Sequence, residues 1–296
     1  MKIIFENYHD NNNQVHEFLV QSKCLFYTYA RFDWMLTNFE YLEKENLPKI
    51  GLWKHNNKIV AATLFDHSLD SVFLVTLKHY KFLYKRMLEY AIENMAVKGM
   101  DNFSILIQEN DNRLKNIAKR KGFLKSDWKE TVLKYDLKNP IDVPNLGNEY
   151  KYISLKECLN FKDYDFCLFR GFDHEKDQSY SFDSIKESLY ELHYKKNFVD
   201  LTLKTSIIDK SNDQVAHCGT WHDSKSDFAI VEPVCVIPGC RKKGLGSAVV
   251  LAGLKKSQLR GAKFVIVNSD LNFYKKIGFK DYLNASYWVN PILKKE

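Results

Sequence analysis

The stretch Val236-Ile237-Pro238-Gly239-Cys240-Arg241-Lys242-Lys243-Gly244-Leu245-Gly246 holds the clearest chemistry in this chain. An apolar, strand-like run ends in a Pro-Gly turn. A basic triplet follows, and two glycines open a helix-like segment from Leu245 to Arg260. A helix start leaves backbone N–H groups without intrahelical partners, and the aligned peptide dipoles make that end positive. Glycine lets a ligand approach the main chain closely. Unpaired backbone N–H groups and the positive charge of Arg241, Lys242 and Lys243 therefore stand where a phosphate could sit. A solvated charge run is the alternative reading of the basic triplet.

Two familiar phosphate motifs fail on particular residues. A dinucleotide fingerprint needs a third Gly or Ala three residues after the second glycine, where Val249 stands. It also needs an acid at the end of the next strand, where Asn268 stands. A Walker loop needs Gly-Lys-Ser/Thr, and that tripeptide does not occur. A left-handed turn that merely begins a helix is the plain alternative.

The elements that must position this turn come twice. Ile50–Trp53 and Lys58–Phe65 read as strands joined by a turn at residues 54–57, Ser71–Leu77 as a third strand, and Lys81–Ala96 as a helix with Phe82, Leu83, Met87, Leu88, Ala91 and Ile92 on its apolar side. Phe103–Ile107 is a short buried strand, and the helix Leu114–Lys121 ends at Gly122-Phe123. The second half repeats the plan: strands Leu201–Ile208, Gln214–Trp221 and Phe228–Val236, the helix from Gly244, a strand Lys263–Val267, and a short helix Leu271–Ile277 ending at Gly278-Phe279. Tyr287–Val289 is a closing strand. This order predicts a mixed α/β (α+β) fold, a mostly antiparallel sheet with helices on it, in two repeated domains. The Pro- and Gly-bearing segment 139–149 reads as a linker between domains at 1–138 and 150–296. In the first half the position of the glycine turn holds Lys78-His79-Tyr80-Lys81-Phe82-Leu83, with no glycine, so the cofactor site is expected in the second half and the first half is expected to be scaffold or substrate wall.

Bulk properties narrow the class. Hydrophobic residues make up 45% and charged residues 27% of 296 residues, as in ordinary globular proteins. The N-terminal Met1-Lys2-Ile3-Ile4-Phe5-Glu6 meets acid at once and no apolar run spans a bilayer, so a cytoplasmic protein without membrane attachment is expected. The six cysteines are scattered without a Cys-x-x-Cys pair; they suit a reducing compartment, and no metal site is expected. A net charge of +7 favours anionic ligands, but no basic stripe interleaved with aromatics predicts a nucleic-acid partner. A monomer or homodimer is expected.

The run from Val236 to Gly246 fits V-x-P-x-x-R-x-x-G-x-G and resembles motif A of the GNAT acyl-CoA N-acyltransferases. Asn268-Ser269-Asp270-Leu271-Asn272-Phe273-Tyr274-Lys275-Lys276-Ile277-Gly278-Phe279 resembles the family's motif B, an Asn after the fifth strand and then Y-x-x-x-G-F. The likeness is strong over about residues 214–290, where Cys218-Gly219-Thr220-Trp221-His222-Asp223 and Glu232-Pro233-Val234 also look like a bacterial GNAT subgroup. The first half resembles a GNAT domain only in the order of its elements. The resemblance implies a tandem GNAT protein with a degenerate N-terminal lobe, using acetyl-CoA without a metal.

Carried over residue by residue, the resemblance assigns acetyl-CoA diphosphate to Arg241, Lys242, Lys243, Gly244, Leu245, Gly246 and Ser247. Asn268 joins them from motif B. Val234, Cys235 and Val236 would offer main-chain groups to pantetheine. Tyr274 would be the general acid that protonates the departing thiolate; packing as a half-buried aromatic is its alternative. The first half has Ala118 at the matching place. Glu232 is the candidate general base for a primary amine, with His217, His222 and His174 behind it. Trp221, Asp223, Asp173 and His174 would line the pocket of a small-molecule or peptide amine. The expected activity is transfer of acetyl to that amine by direct attack in a ternary complex. A non-catalytic acyl-CoA-binding module is the rival, and a tRNA-dependent aminoacyl-transferase is disfavoured by the intact R-x-x-G-x-G.

Overall fold

The protein's structure, a computed structural model, describes residues 2–37, 42–96, 103–157, 161–176 and 199–291. Cys158 falls outside them. The strands in chain order are β1 (Ile4–Asn7), β2 (Gly51–His55), β3 (Lys58–Asp66), β4 (Ser68–Thr76), β5 (Ser104–Gln108), β6 (Leu124–Asp136), β7 (Tyr150–Ser154), β8 (Lys204–Asp209), β9 (Gln214–Trp221), β10 (Phe228–Val236), β11 (Phe264–Asn268) and β12 (Lys280–Val289). The helices are α1 (Asn12–Ser22), α2 (Tyr29–Thr37), α3 (Tyr84–Asn94), α4 (Asn112–Arg120), α5 (Phe161–Gly171), α6 (Leu245–Leu259) and α7 (Asn272–Ile277). The fold is mixed α/β, with mostly antiparallel strands flanked by helices.

The chain divides into two compact units, and the division is not sequential. One unit holds Met1–Val132 with Tyr282–Glu296; the other holds Leu133–Asp281. In the first unit β1 to β4 form antiparallel neighbours, β5 runs parallel to β4, and β12 pairs antiparallel with β5 from Ala285↔Gln108 to Val289↔Ser104. The tight turn joining β2 to β3 uses Asn56 and Asn57 at φ 50° and 60°, the conformation a two-residue hairpin asks for. In the second unit the strand order is β6, β11, β10, β9, β8, β7, with β10 and β11 parallel.

The two units share one plan, and each takes its sixth strand from the other half of the sequence. The closing strand expected to complete the second half therefore belongs to the first unit. Ala285 and Trp288 are buried there, and Tyr287 Oη bonds Glu130 of β6. Conversely Leu133 and Leu137 join the core of the second unit, and Leu137 N bonds Lys263 O at 3.1 Å. The segment read as a linker is also part of that core. Ile141 is buried in it, Val143 and Leu146 pack against it, and Gln258 Nε2 donates to Leu137 O and Asn139 O. Prolines fix the path of this stretch, but its Ile, Val and Leu supply the burial that a free linker would lack.

The core of the second unit lies under α6. Leu245, Ala248, Val249, Val250 and Leu254 meet Ala216, Cys218, Val231 and Val265 from the sheet. Gly253 sits where a Cβ would come within 3.1 Å of Cys218 Sγ and Thr220 Cγ2, so the helix rests directly on β9. On α3 the predicted apolar side holds at Met87, Leu88 and Ala91, but Phe82 is 44% exposed. It lies in a 3-10 turn, Lys78–Leu83, that precedes the α-helix and rotates it away from the core.

Candidate functional site

The glycine turn follows β10 and leads into α6. Lys242 and Gly244 both adopt positive φ, 63° and 80°, which curls the main chain into a concavity of N–H groups. Gly244 is the residue ahead of the helix, and no side chain caps it. The first helical hydrogen bond joins Ala248 N to Gly244 O at 3.0 Å, so the amides of Leu245, Gly246 and Ser247 precede the ladder. No acid lies in the first turn. A Cβ on Gly244 would meet nothing within 4 Å among the described residues, so space stands open beside this residue at the head of the helix. At Gly246 a Cβ would lie 3.2 Å from Phe273 Cε2 and 3.4 Å from Val236 Cγ2, so this glycine allows α6 to pack against α7 and β10. Lys242 and Lys243 are exposed beside the opening.

Arg241 departs from its expected place among the diphosphate ligands. Its Nε donates to Val236 O (3.0 Å), Nη1 to Asp173 Oδ2 (3.0 Å) and Nη2 to Gly171 O (2.9 Å). The planar guanidinium ties the end of α5 to the end of β10. Asp173, expected in the acceptor pocket, is the other half of this tie and also pairs Lys176 at 3.0 Å. The Arg241 hydrogen bond, then Lys176, holds its carboxyl below the usual range.

β10 and β11 are in register only at Phe228↔Phe264, Ala229↔Val265 and Ile230↔Ile266. Beyond Ile230 they part, and Val234, Cys235 and Val236 continue along β10 toward the glycine turn. The parting coincides with a break in β10 itself, where the register with β9 shifts between Val231 and Val234. Glu232 sits in this irregularity. Its carbonyl accepts from Trp221 Nε1 at 2.8 Å, and an ideal Cβ on Gly219 would lie 2.3 Å from that same oxygen. Gly219 thus makes room for the bulge and Trp221 holds it. Trp221 is 3% exposed with the Lys204 Nζ 3.3 Å from its ring centroid, so it supports the strand where an open pocket wall was expected. Gly219 was named in the sequence only within a longer run; an isolated glycine inside a strand pattern was the signal for this close approach.

Cys235 faces α5. Its Sγ is 3.9 Å from Cys167 Sγ, and a Cβ on Gly171 would be 2.6 Å from Cys235 Cβ. Its neighbour in register, His217, is fully buried, with Nδ1 2.9 Å from Ser206 Oγ and its ring edge-on to Tyr164 at 4.8 Å. Burial, then the charges of Lys204 and Lys256, pushes His217 well below the ordinary imidazole value. It is a neutral, structural histidine.

Tyr274 lies in α7, 8% exposed, between Phe273 and Phe279 at 4.9 and 5.6 Å. Burial raises its phenol well above the usual value, and the negative forms of Cys218 and Glu232 push the same way. Its hydroxyl makes no hydrogen bond within the described residues. Phe279 N bonds Tyr274 O at 3.1 Å, as Phe123 N bonds Ala118 O at 3.0 Å in the first unit. Ala118 and Tyr274 therefore occupy equivalent positions, and only the second unit has a phenol there.

The remaining expected residues lie farther out. Asn268 ends β11, exposed, beside the parting from β10. Asp223 belongs to the β9–β10 connection, where its carboxylate accepts from Lys225 N at 2.7 Å; this is the end of β10 away from the glycine turn. His222 Nε2 is 3.1 Å from Ser226 O in the same turn, and His174 packs near Phe169 and Phe172. Among the described residues no group of three or more His, Cys, Asp or Glu is placed to hold a metal ion, and no helix is long and apolar enough to cross a membrane.

This arrangement is that of a known class. Residues 204–281 match the family model of the acetyltransferase (GNAT) domain. A tandem GNAT protein from the clavulanic acid biosynthesis pathway aligns with a TM-score of 0.59 at 12% identity, over 97% of this chain and 98% of the other. A GCN5-related N-acetyltransferase from Sphaerobacter thermophilus aligns with a TM-score of 0.57 at 12% identity, over 97% and 95%. One from Kribbella flavida gives 0.51 at 12% identity, over 78% and 86%. A sequence search of curated proteins gave no match. The second unit carries a GNAT domain, a domain of the acyltransferase class, and the whole chain has the tandem GNAT fold.

Proposed function

We propose that this protein is an acetyl-CoA-dependent N-acetyltransferase whose second unit alone binds the cosubstrate and acts on a primary amine. The observation that carries this reading is the uncapped start of α6 at Gly244, opening beside the point where β10 parts from β11. The amides of residues 242–247 with Lys242 and Lys243 hold the diphosphate. The edge of β10 from Val234 to Val236 takes the pantetheine amides as an added strand would. Glu232 accepts a proton from the ammonium, directly or through water. The amine nitrogen then attacks the thioester carbonyl, the tetrahedral centre collapses, and the C–S bond breaks. Tyr274 donates its phenol proton to the departing sulfur, and the surplus proton on the new amide nitrogen returns to the phenolate, directly or through water. Arg241 and Asp173 position the turn.

Calorimetry with acetyl-CoA on wild type, Gly244→Ala and Gly244→Glu tests the site. Both variants carry the same cost of placing a side chain at positive φ, and only Glu adds a carboxylate in front of the amides. Gly244→Ala is expected to bind within a few-fold of wild type, and Gly244→Glu to lose about a hundredfold or more. Undiminished affinity in Gly244→Glu overturns the assignment. Thiol release on a panel of primary amines tests the chemistry; binding with no release on any amine leaves a binding module instead of an enzyme.

A further inference from the structure

The first unit has a parting of its own, and a cavity lies in it. β4 and β5 are in parallel register only at Ser71↔Ser104 and Val72↔Ile105. Past that point a cavity of about 70 Å³ opens, lined by Phe73, Leu74 and Val75 of β4, Leu106 and Gln108 of β5, and Leu114 of α4, with Cys24, Phe26, Tyr27, Tyr84 and Asp111 completing the wall. Side chains alternate along a strand, so three consecutive residues line a space only if the strand presents its main-chain edge to it. Hydrogen-bonding groups of the β4 edge therefore border the cavity.

The charges in its wall are already used. Asp111 accepts from Lys81 Nζ at 2.7 Å, from Tyr84 Oη at 3.0 Å and from Leu114 N at 3.2 Å. Tyr27 Oη donates to Phe65 O at 2.6 Å. Burial keeps the Cys24 thiol protonated. Gln108 has a side-chain amide with no hydrogen bond among the described residues, and the rest of the lining is aliphatic or aromatic. No anion cradle adjoins the cavity. The 3-10 turn Lys78–Leu83 runs straight into α3, and bulky Phe82 and Leu83 stand where the second unit has its glycines.

We infer that the first unit binds a small neutral molecule: a short aliphatic or aromatic body with one amide-like end, which pairs with Gln108 and the β4 edge. The volume accommodates several water-sized groups, on the order of five to seven non-hydrogen atoms. The Asp111 carboxylate is already matched by Lys81, so an ammonium or carboxylate would enter without an unpaired counter-charge and is rejected. The inference is independent of acetyl-CoA binding by the second unit.

The test uses the full-length protein and methyl NMR of Leu74, Val75, Leu106 and Leu114. N-methylbutanamide is expected to shift these methyls saturably, while butylammonium and butyrate at equal concentration leave them in place. Gln108→Leu should weaken the amide about tenfold, the loss of a hydrogen bond to a half-buried group. Leu106→Trp should fill the cavity and abolish the shifts, and Val75→Phe serves if Leu106→Trp does not fold. No saturable shift, equal or stronger binding of a charged analogue, or displacement of the amide from these methyls by acetyl-CoA overturns the inference.

Discussion

The Tyr274 phenol is set to stay protonated. Its value is raised by burial, so across the neutral range it remains a donor, and ionisation of this group adds no alkaline loss of activity below the ordinary phenol value of about 10. Tyr274→Phe is expected to lower kcat by roughly a hundredfold with little change in acetyl-CoA affinity, since general acids contribute on that scale. Pre-steady-state kinetics check that chemistry limits turnover; an unchanged chemical step removes the residue from the mechanism. Arg241 and Asp173 act as a unit, so Arg241→Ala and the double variant with Asp173→Ala should weaken acetyl-CoA binding equally; a double variant clearly worse than Arg241→Ala breaks that unit. His217 gives a pH prediction of opposite sign to a salt-bridged histidine. Its folded value lies below its unfolded value near 6.5, so the unfolded chain binds the proton first. Stability contributed by the neutral ring is present above that value and lost as pH falls through it, by about 1 kcal/mol between pH 7 and 5.5. Denaturation midpoints of His217→Gln should fall less over that interval; an identical fall assigns the acid sensitivity to other groups.

The helix α6 couples packing to binding, because its first turn is the anion cradle and its middle rests on β9 through Gly253. Gly253→Leu has no room against Cys218 and Thr220. It should cost roughly 1–3 kcal/mol by overpacking and weaken acetyl-CoA in the same variant, whereas Gly253→Ala should do less of both. Urea unfolding and calorimetry on the pair decide it; full destabilisation with intact affinity uncouples the two. At this scale the sequence was most legible where local chemistry decides structure. β9 and β10 fall where periodicity placed them, and the Asn56-Asn57 turn, the Gly122 and Gly278 helix ends and the glycine turn all follow from φ preferences that single residues impose. It was least legible where neighbours decide. β6 alternates poorly, reading Leu124-Lys125-Ser126-Asp127-Trp128-Lys129 with little burial at its start, and is a strand because it has partners. Arg241 looked like a phosphate ligand because its charge is visible in the sequence, whereas the two carbonyls and the carboxylate that take its donors are distant in the chain or set by backbone geometry. The burial of Trp221 was illegible for the same reason, since its partner carbonyl belongs to the bulge in β10.

The whole molecule is two lobes with exchanged strands, so the boundary that repeats suggest is not one at which it can be cut. Fragments 1–149 and 150–296 each lack a strand: the first loses β12, with Trp288 and the Tyr287–Glu130 bond, and the second loses Leu133, Leu137 and Ile141 from its core. Each alone is expected to aggregate or unfold without cooperativity, and co-expression should recover a one-to-one complex on size-exclusion chromatography. Cooperative unfolding of either fragment alone would contradict this. Glu130 marks how firmly the exchanged strand is gripped, for it also receives Arg31 at 3.0 Å, and Arg31 in turn bonds Asp66 at 2.8 Å and stacks 4.6 Å from the Phe73 ring centroid. The same exchange sets an order of events on the ribosome. The lobe of β1 to β5 waits for a strand translated much later, and at 5–20 residues per second the chain from Gln108 to Lys280 takes on the order of ten to thirty seconds to emerge. During that interval the β5 edge has no partner strand and is open to other chains. A premature stop just after Asp281 would therefore spare every cradle residue and still ruin the beginning of the protein.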